Sequence, residues 1–216
     1  MKNRIYNLII LDESGSMESI HKATVDSVNE TIQTIRSAQQ KFENQEHLLT
    51  LVTFNTNGLK IKYDACPIER AETFAFDDFN PDCCTPLFDA MGLSMTRLEK
   101  QVREGDRVLV TIITDGYENA SVEYTQSTIK VLVDRLRKAD WMITYMGANQ
   151  DVDAVAESLS INQAMAFTAD EAEMAPQMRH ANKCRMAFFS RASRGIAEPF
   201  ADHAFFSSDE EDDDEL

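Results

Sequence analysis

Apolar positions along the chain fall into two kinds of run that take turns. Residues 5–11, 47–54, 107–114 and 141–147 are short, largely apolar and rich in β-branched side chains. They do not alternate strictly with polar residues, which is the signature of parallel strands covered on both faces. Residues 59–63 set Leu, Ile and Tyr alternately with Lys, as an edge strand should. Asn55-Thr56-Asn57-Gly58 supplies the hairpin turn that would return this strand to its predecessor. Residues 164–167 predict a last short strand. Between the strands the spacing becomes helical. Val25, Val28, Ile32, Ile35 and Phe42 share one helix face, as do Leu87, Met91, Met95, Leu98 and Val102 behind Pro86. Ile129, Leu132, Val133 and Leu136 mark a third helix, and residues 152–159 a short fourth. Thr168-Ala169-Asp170-Glu171 reads as a capping box that opens a last helix running to about Phe189. The methionines on these faces are expected to fill core.

Strand and helix therefore alternate almost throughout, and that pattern predicts an α/β fold. Its architecture is three-layered and doubly wound, a mostly parallel sheet with one antiparallel edge strand. One domain is expected over residues 1–195. Residues 196–216 form a C-terminal extension, with 207–216 expected to be disordered. A length of 216 residues and a hydrophobic content of 43% suit a single core. No stretch approaches the ~18 apolar residues of a membrane helix. The first apolar run contains Asn7, ends in Asp12 and lacks a small-residue cleavage site, so it reads as a strand and not a signal peptide. The four cysteines, Cys66, Cys83, Cys84 and Cys184, have no zinc spacing, and reduced thiols in a cytoplasm are the expectation.

Charge narrows the partners. The formal net charge is -16, and residues 209–215 are an unbroken run of seven acids. That sign argues against nucleic acid, because phosphate binding needs clustered Lys and Arg. The acidic run is read first as a solvating terminus. The sharper reading makes it a docking peptide for a basic partner or for an open metal site, and so a route to self-association.

Ligands of open α/β sheets bind beyond the C-terminal ends of the strands. Three places deliver oxygen side chains to such an edge. Asp12, Ser14 and Ser16 follow the first strand in Asp12-Glu13-Ser14-Gly15-Ser16. Thr85 stands in Cys83-Cys84-Thr85-Pro86-Leu87, just before a helix, and Asp115 follows residues 108–113 in Thr114-Asp115-Gly116. Two carboxylates and three hydroxyls offer only oxygen, which selects hard cations, Mg²⁺ or else Mn²⁺ or Ca²⁺, over zinc. Hydroxyls are weak donors, so the ion stays electrophilic. Mg²⁺ takes six oxygens, which leaves a place for an added carboxylate.

These motifs, Asp12-Glu13-Ser14-Gly15-Ser16-Met17, Thr85-Pro86-Leu87 and Thr114-Asp115-Gly116, resemble the von Willebrand factor A domain and its metal-ion-dependent adhesion site. The resemblance covers roughly residues 4–190 and is nearest the bacterial cytoplasmic branch that includes tellurite-resistance-type proteins. It implies a Rossmann-like fold in which Ser14, Ser16 and Thr85 are direct or switchable metal ligands, while Asp12 and Asp115 act mainly through bound water. It also implies a non-catalytic module that captures an Asp or Glu of a protein partner through the cation. One departure is visible: the family often has glycine or another small residue just before the Thr, where Cys83 and Cys84 stand. Cysteine at φ > 0 has a steric cost that glycine avoids, so the loop around Thr85 is expected to differ.

The competing enzyme reading is a metal-dependent phosphatase or phosphotransferase. An Asp after the first strand of a doubly wound sheet can be a phosphorylated nucleophile, but such enzymes of the haloacid-dehalogenase type carry an acid two residues later. Here that residue is Ser14, and a hydroxyl cannot act as the general acid at neutral pH. There is no phosphate-binding glycine loop and no G-x-S-x-G. His21, close to the site, is expected on a helix surface, Cys184 as a buried thiol, and Asn55 and Asn119 as turn residues near the rim.

Overall fold

A computed structural model describes residues 2–195 and 204–206. Six strands form one sheet: β1 (Asn3–Asp12), β2 (Gln45–Asn55), β3 (Gly58–Pro67), β4 (Arg107–Thr114), β5 (Trp141–Gly147) and β6 (Gln163–Ala166). Their order is β3-β2-β1-β4-β5-β6. β2 and β3 pair antiparallel as a hairpin at the edge, and all other neighbours are parallel. The α/β, mostly parallel, doubly wound architecture read from periodicity is the observed one.

Both faces of the sheet are covered, which is why the strands lack clean alternation. On β1, Ile5, Ile9 and Leu11 enter one core with α1 (His21–Lys41) and α5 (Glu171–Ser193). Tyr6, Leu8 and Ile10 enter the other with α2 (Leu87–Glu99), α3 (Gln126–Lys138) and α4 (Val152–Ser158). α1 buries Val25, Val28, Ile32 and Ile35 on one stripe. Each such side chain contributes roughly 1.5–3 kcal/mol on leaving water.

Local chemistry differs from expectation at the start of α5. The N-cap is Asp170, whose carboxylate accepts from the amides of Ala172 and Glu173. Thr168 instead sits beside Gln177, whose side-chain oxygen accepts its amide at 2.8 Å. A carboxylate at a helix start satisfies orphan amides and also meets the positive end of the macrodipole, so Asp170 outcompetes the hydroxyl two residues earlier. A 3-10 turn, Gly15–Ile20, precedes α1 and has no counterpart in the periodicity. Beyond α5, Phe205 is buried in the α1/α5 core, and its amide donates to the Gln163 side chain. Residues 207–216, where disorder is expected, lie outside the described residues.

Candidate metal centre

The register β1–β4 ends with Leu11 opposite Ile113, so Asp12 and Thr114, the last residues of their strands, stand side by side at the C-terminal edge of the sheet. Thr114 donates to Asp12 Oδ2 at 2.6 Å. Asp12 Oδ1 accepts the Ser14 amide at 2.8 Å, which turns the chain sharply after the strand. Ser14 and Ser16 then lie with their hydroxyls 3.3 Å apart. Ser16 donates to Asp115 Oδ1 at 2.5 Å. A methyl placed on Gly116 would stand 3.5 Å from Thr85 Oγ1 and 3.8 Å from Ser16 Oγ, so these two hydroxyls flank one spot. All five predicted site residues therefore gather at the C-terminal edge of β1 and β4. Asp12, Ser14, Thr85 and Asp115 are buried, and Ser16 is exposed.

Burial sets the electrostatics of this cluster. Burial pushes the Asp12 carboxyl up to about 6, against the downward pull of its bonds from Thr114 and Ser14. Burial raises Asp115 too, against its bond from Ser16. Among the described residues neither carboxylate makes an ion pair. Asp115 Oδ2 is buried with no hydrogen-bond partner among the described residues, an arrangement native proteins rarely leave uncompensated. Two buried acids short of positive charge, one with an orphaned oxygen beside three hydroxyls, form a donor set suited to a hard divalent ion. Among the described residues no group of three His, Cys, Asp or Glu could hold a metal; the cluster here combines two carboxylates with three hydroxyls.

Several residues outside the five hold the cluster in place. Glu13, to which the motifs assign no role, is fully buried. Its carboxylate accepts from Thr53 Oγ1 at 2.7 Å, the Asn80 amide at 2.7 Å and Lys60 Nζ at 3.1 Å, tying β1 to β2, β3 and the loop that leads to Thr85. Asn119 is not a mere turn residue: its side-chain oxygen accepts the Thr85 amide and its own amide donates to the Thr85 carbonyl. Glu118 accepts the Phe88 amide at the start of α2, and Asp89 accepts the amides of Val122, Glu123 and Tyr124. The Asp115 loop and the Thr85 loop are thus clipped together. Asn55 donates to the Glu13 carbonyl, and His21 stacks on Phe76 at 3.9 Å.

The loop before Thr85 carries the departure seen in the sequence. Cys83 takes φ 64, the left-handed region. Its carbonyl accepts the Gly15 amide at 3.1 Å, and the Asp82 amide donates to the Glu13 carbonyl at 3.0 Å. The two loops are stitched to each other, and Thr85 stays buried at the site.

No family profile and no curated protein matches the sequence. Solved structures do match in shape. The PilB minor pilin from Streptococcus sanguinis superposes with a TM-score of 0.63 at 12% identity, over 86% of this chain and 62% of that one. A von Willebrand factor type A structure from Catenulispora acidiphila gives 0.58 at 15% identity, over 86% and 43%. The SpRpn10 VWA domain gives 0.55 at 11% identity, over 92% and 100%. The chain thus spans less than two thirds of the first two proteins and all of the third. Its fold is that of von Willebrand factor A domains.

Proposed function

We propose that the chain is a protein-binding module whose site holds a divalent cation, Mg²⁺ or a close substitute, and through it an acidic side chain of a partner. Ser14, Ser16 and Thr85 would supply hydroxyl oxygens to the ion, with Asp12 and Asp115 acting mainly through bound water. A bound ion would supply positive charge to a partner carboxylate. This chain's own residues hold the hydroxyls in place and exclude bulk water from the two acids. The observation that carries the reading is Asp115 Oδ2, buried and unpartnered within a cluster of hydroxyls. The fold is consistent with a protein partner, and the hydroxyl of Ser14 at the position an acid would need speaks for binding without turnover. No helix among the described residues is long and apolar enough to cross a membrane. An intracellular setting belongs to the same reading, motivated by the free thiols of Cys66, Cys83 and Cys84. A pull-down from lysate with the immobilised chain, in Mg²⁺ or in chelator, tests it. Capture in Mg²⁺ that is lost in chelator and in Asp12→Ala is expected; capture indifferent to both would refute it.

A further inference from the structure

Cys83 and Cys84 are adjacent, and both are exposed at the rim of the site. Their Cα atoms are held about 3.8 Å apart by the peptide between them. That is shorter than the ~4.4 Å minimum usual for a disulfide, so direct oxidation of the pair to S–S is disfavoured. A bridging atom removes the conflict, because each sulfur then bonds to the bridge and the two need not touch. The bridge must be soft, since thiolates select soft centres. It must also accept two sulfurs at an angle near a right angle, which favours a pyramidal trivalent centre over a linear one. The surroundings hold the pair in place. Cys83 sits in the left-handed region without being glycine, and Asn57 Nδ2 approaches its sulfur at 3.4 Å. The Cys84 amide faces Thr56 Oγ1 at 3.4 Å, so the β2–β3 turn backs the pair.

We propose that Cys83 and Cys84 form a dithiol site for a trivalent thiophilic metalloid of the arsenical class, and that its occupation is felt in the Asp12–Ser16 loop. The chemistry balances without an oxidant. In an organoarsonous acid two As–OH bonds break as two S–H bonds break, two As–S bonds form, and two waters leave. The route to the neighbouring loop is the hydrogen bond from the Gly15 amide to the Cys83 carbonyl. Pulling the two sulfurs onto one atom rotates the peptide that carries this carbonyl.

The test uses the reduced full chain and phenylarsine oxide as probe, read by intact mass and by hydrogen exchange. One adduct per chain is expected, resistant to excess glutathione and removed by a dithiol. Cys83→Ser and Cys84→Ser should each weaken it by roughly 10²–10⁴-fold, because the second thiol acts at high effective concentration. Serine keeps the same backbone cost at position 83, so both variants should fold. Cys66→Ser and Cys184→Ser should retain the adduct. Exchange should change over residues 13–17, which contain no cysteine. An adduct indifferent to Cys83→Ser or Cys84→Ser, or lost equally to a monothiol, overturns the dithiol site; unchanged exchange over residues 13–17 overturns the coupling. Neither readout needs a bound cation, so both stand apart from the function proposed above.

Discussion

Removing the Glu13 carboxylate should be among the most destabilising single changes at this edge of the sheet. Its side chain has 0% exposure, while that of its ion-pair partner Lys60 is 55% exposed. Lys60 can turn to water when the pair is broken, so its share is at most about 1 kcal/mol. Thr53, a residue 3% exposed, cannot turn its hydroxyl to water so easily, whereas Asn80 is exposed and water can partly replace the bond its amide loses. A bond to a charged acceptor is worth about 1.5–3 kcal/mol, and stranding its donor forfeits most of that. Glu13→Ala should therefore lower stability by about 3–5 kcal/mol, the loss from the cavity it leaves included. Glu13→Gln keeps the volume and one oxygen for the Asn80 amide, and its amide can face the Thr53 hydroxyl, so it should lose only about 1–2 kcal/mol. Urea unfolding at pH 7 in chelator reads both values. The reasoning is refuted if Glu13→Ala unfolds within about 0.5 kcal/mol of the wild type, or if Gln and Ala lose equally.

Two further perturbations probe the layer between the sheet and α5. His47 is fully buried, with Gln45 Oε1 at 2.9 Å and the Phe189 ring edge-on, and burial lowers its pKa from 6.5 to about 4. Between those values the unfolded chain takes up a proton that the native state refuses, so this contribution to stability is full above pH 6.5 and is lost as pH falls toward 4. At pH 5 the loss is roughly 2 kcal/mol; unfolding of His47→Gln on going from pH 7 to 5 should fall by that much less than the wild type, and parallel losses would count against it. Arg185 is 3% exposed and bonds Thr111 Oγ1 at 2.9 Å, but its Nε and Nη1 lack partners among the described residues and burial pulls its pKa down to about 10. A buried cation so poorly compensated costs more than it returns, so Arg185→Met should match or exceed wild-type stability, by up to about 4 kcal/mol in thermal or urea unfolding; a loss above about 2 kcal/mol would contradict this.

The elements were legible where burial imposes a period. β1, β2, β4 and β5 are covered on both faces and read as apolar runs, and α1 to α3 read as stripes, because each face meets one core. The gathering of the five candidate residues was legible because short motifs place Asp12, Ser14, Ser16 and Asp115 at or just after strand ends and Thr85 just ahead of a helix. What supports them was not. Glu13 reaches Asn80 and Asn119 reaches Thr85 across long loops, and no local spacing encodes such pairs. Nor did the sequence mark Thr114 as the donor to Asp12, or Asp170 as the cap in place of Thr168. Helix ends are settled by competition between neighbouring side chains for the same few amides. The docking of Phe205 on the α1/α5 core also escaped the pattern, since a single buried ring has no period.

The central claim is that Asp12, Ser14, Ser16, Thr85 and Asp115 together hold a divalent cation. Calorimetric titration of Mg²⁺ and Mn²⁺ into the wild type, Asp12→Ala and Thr85→Ala tests it most directly, with circular dichroism confirming that each variant is folded. The account predicts one cation per chain in the wild type, no detectable binding in Asp12→Ala and weakened binding in Thr85→Ala. Absence of binding in the wild type, or undiminished binding in a folded Asp12→Ala, would contradict it.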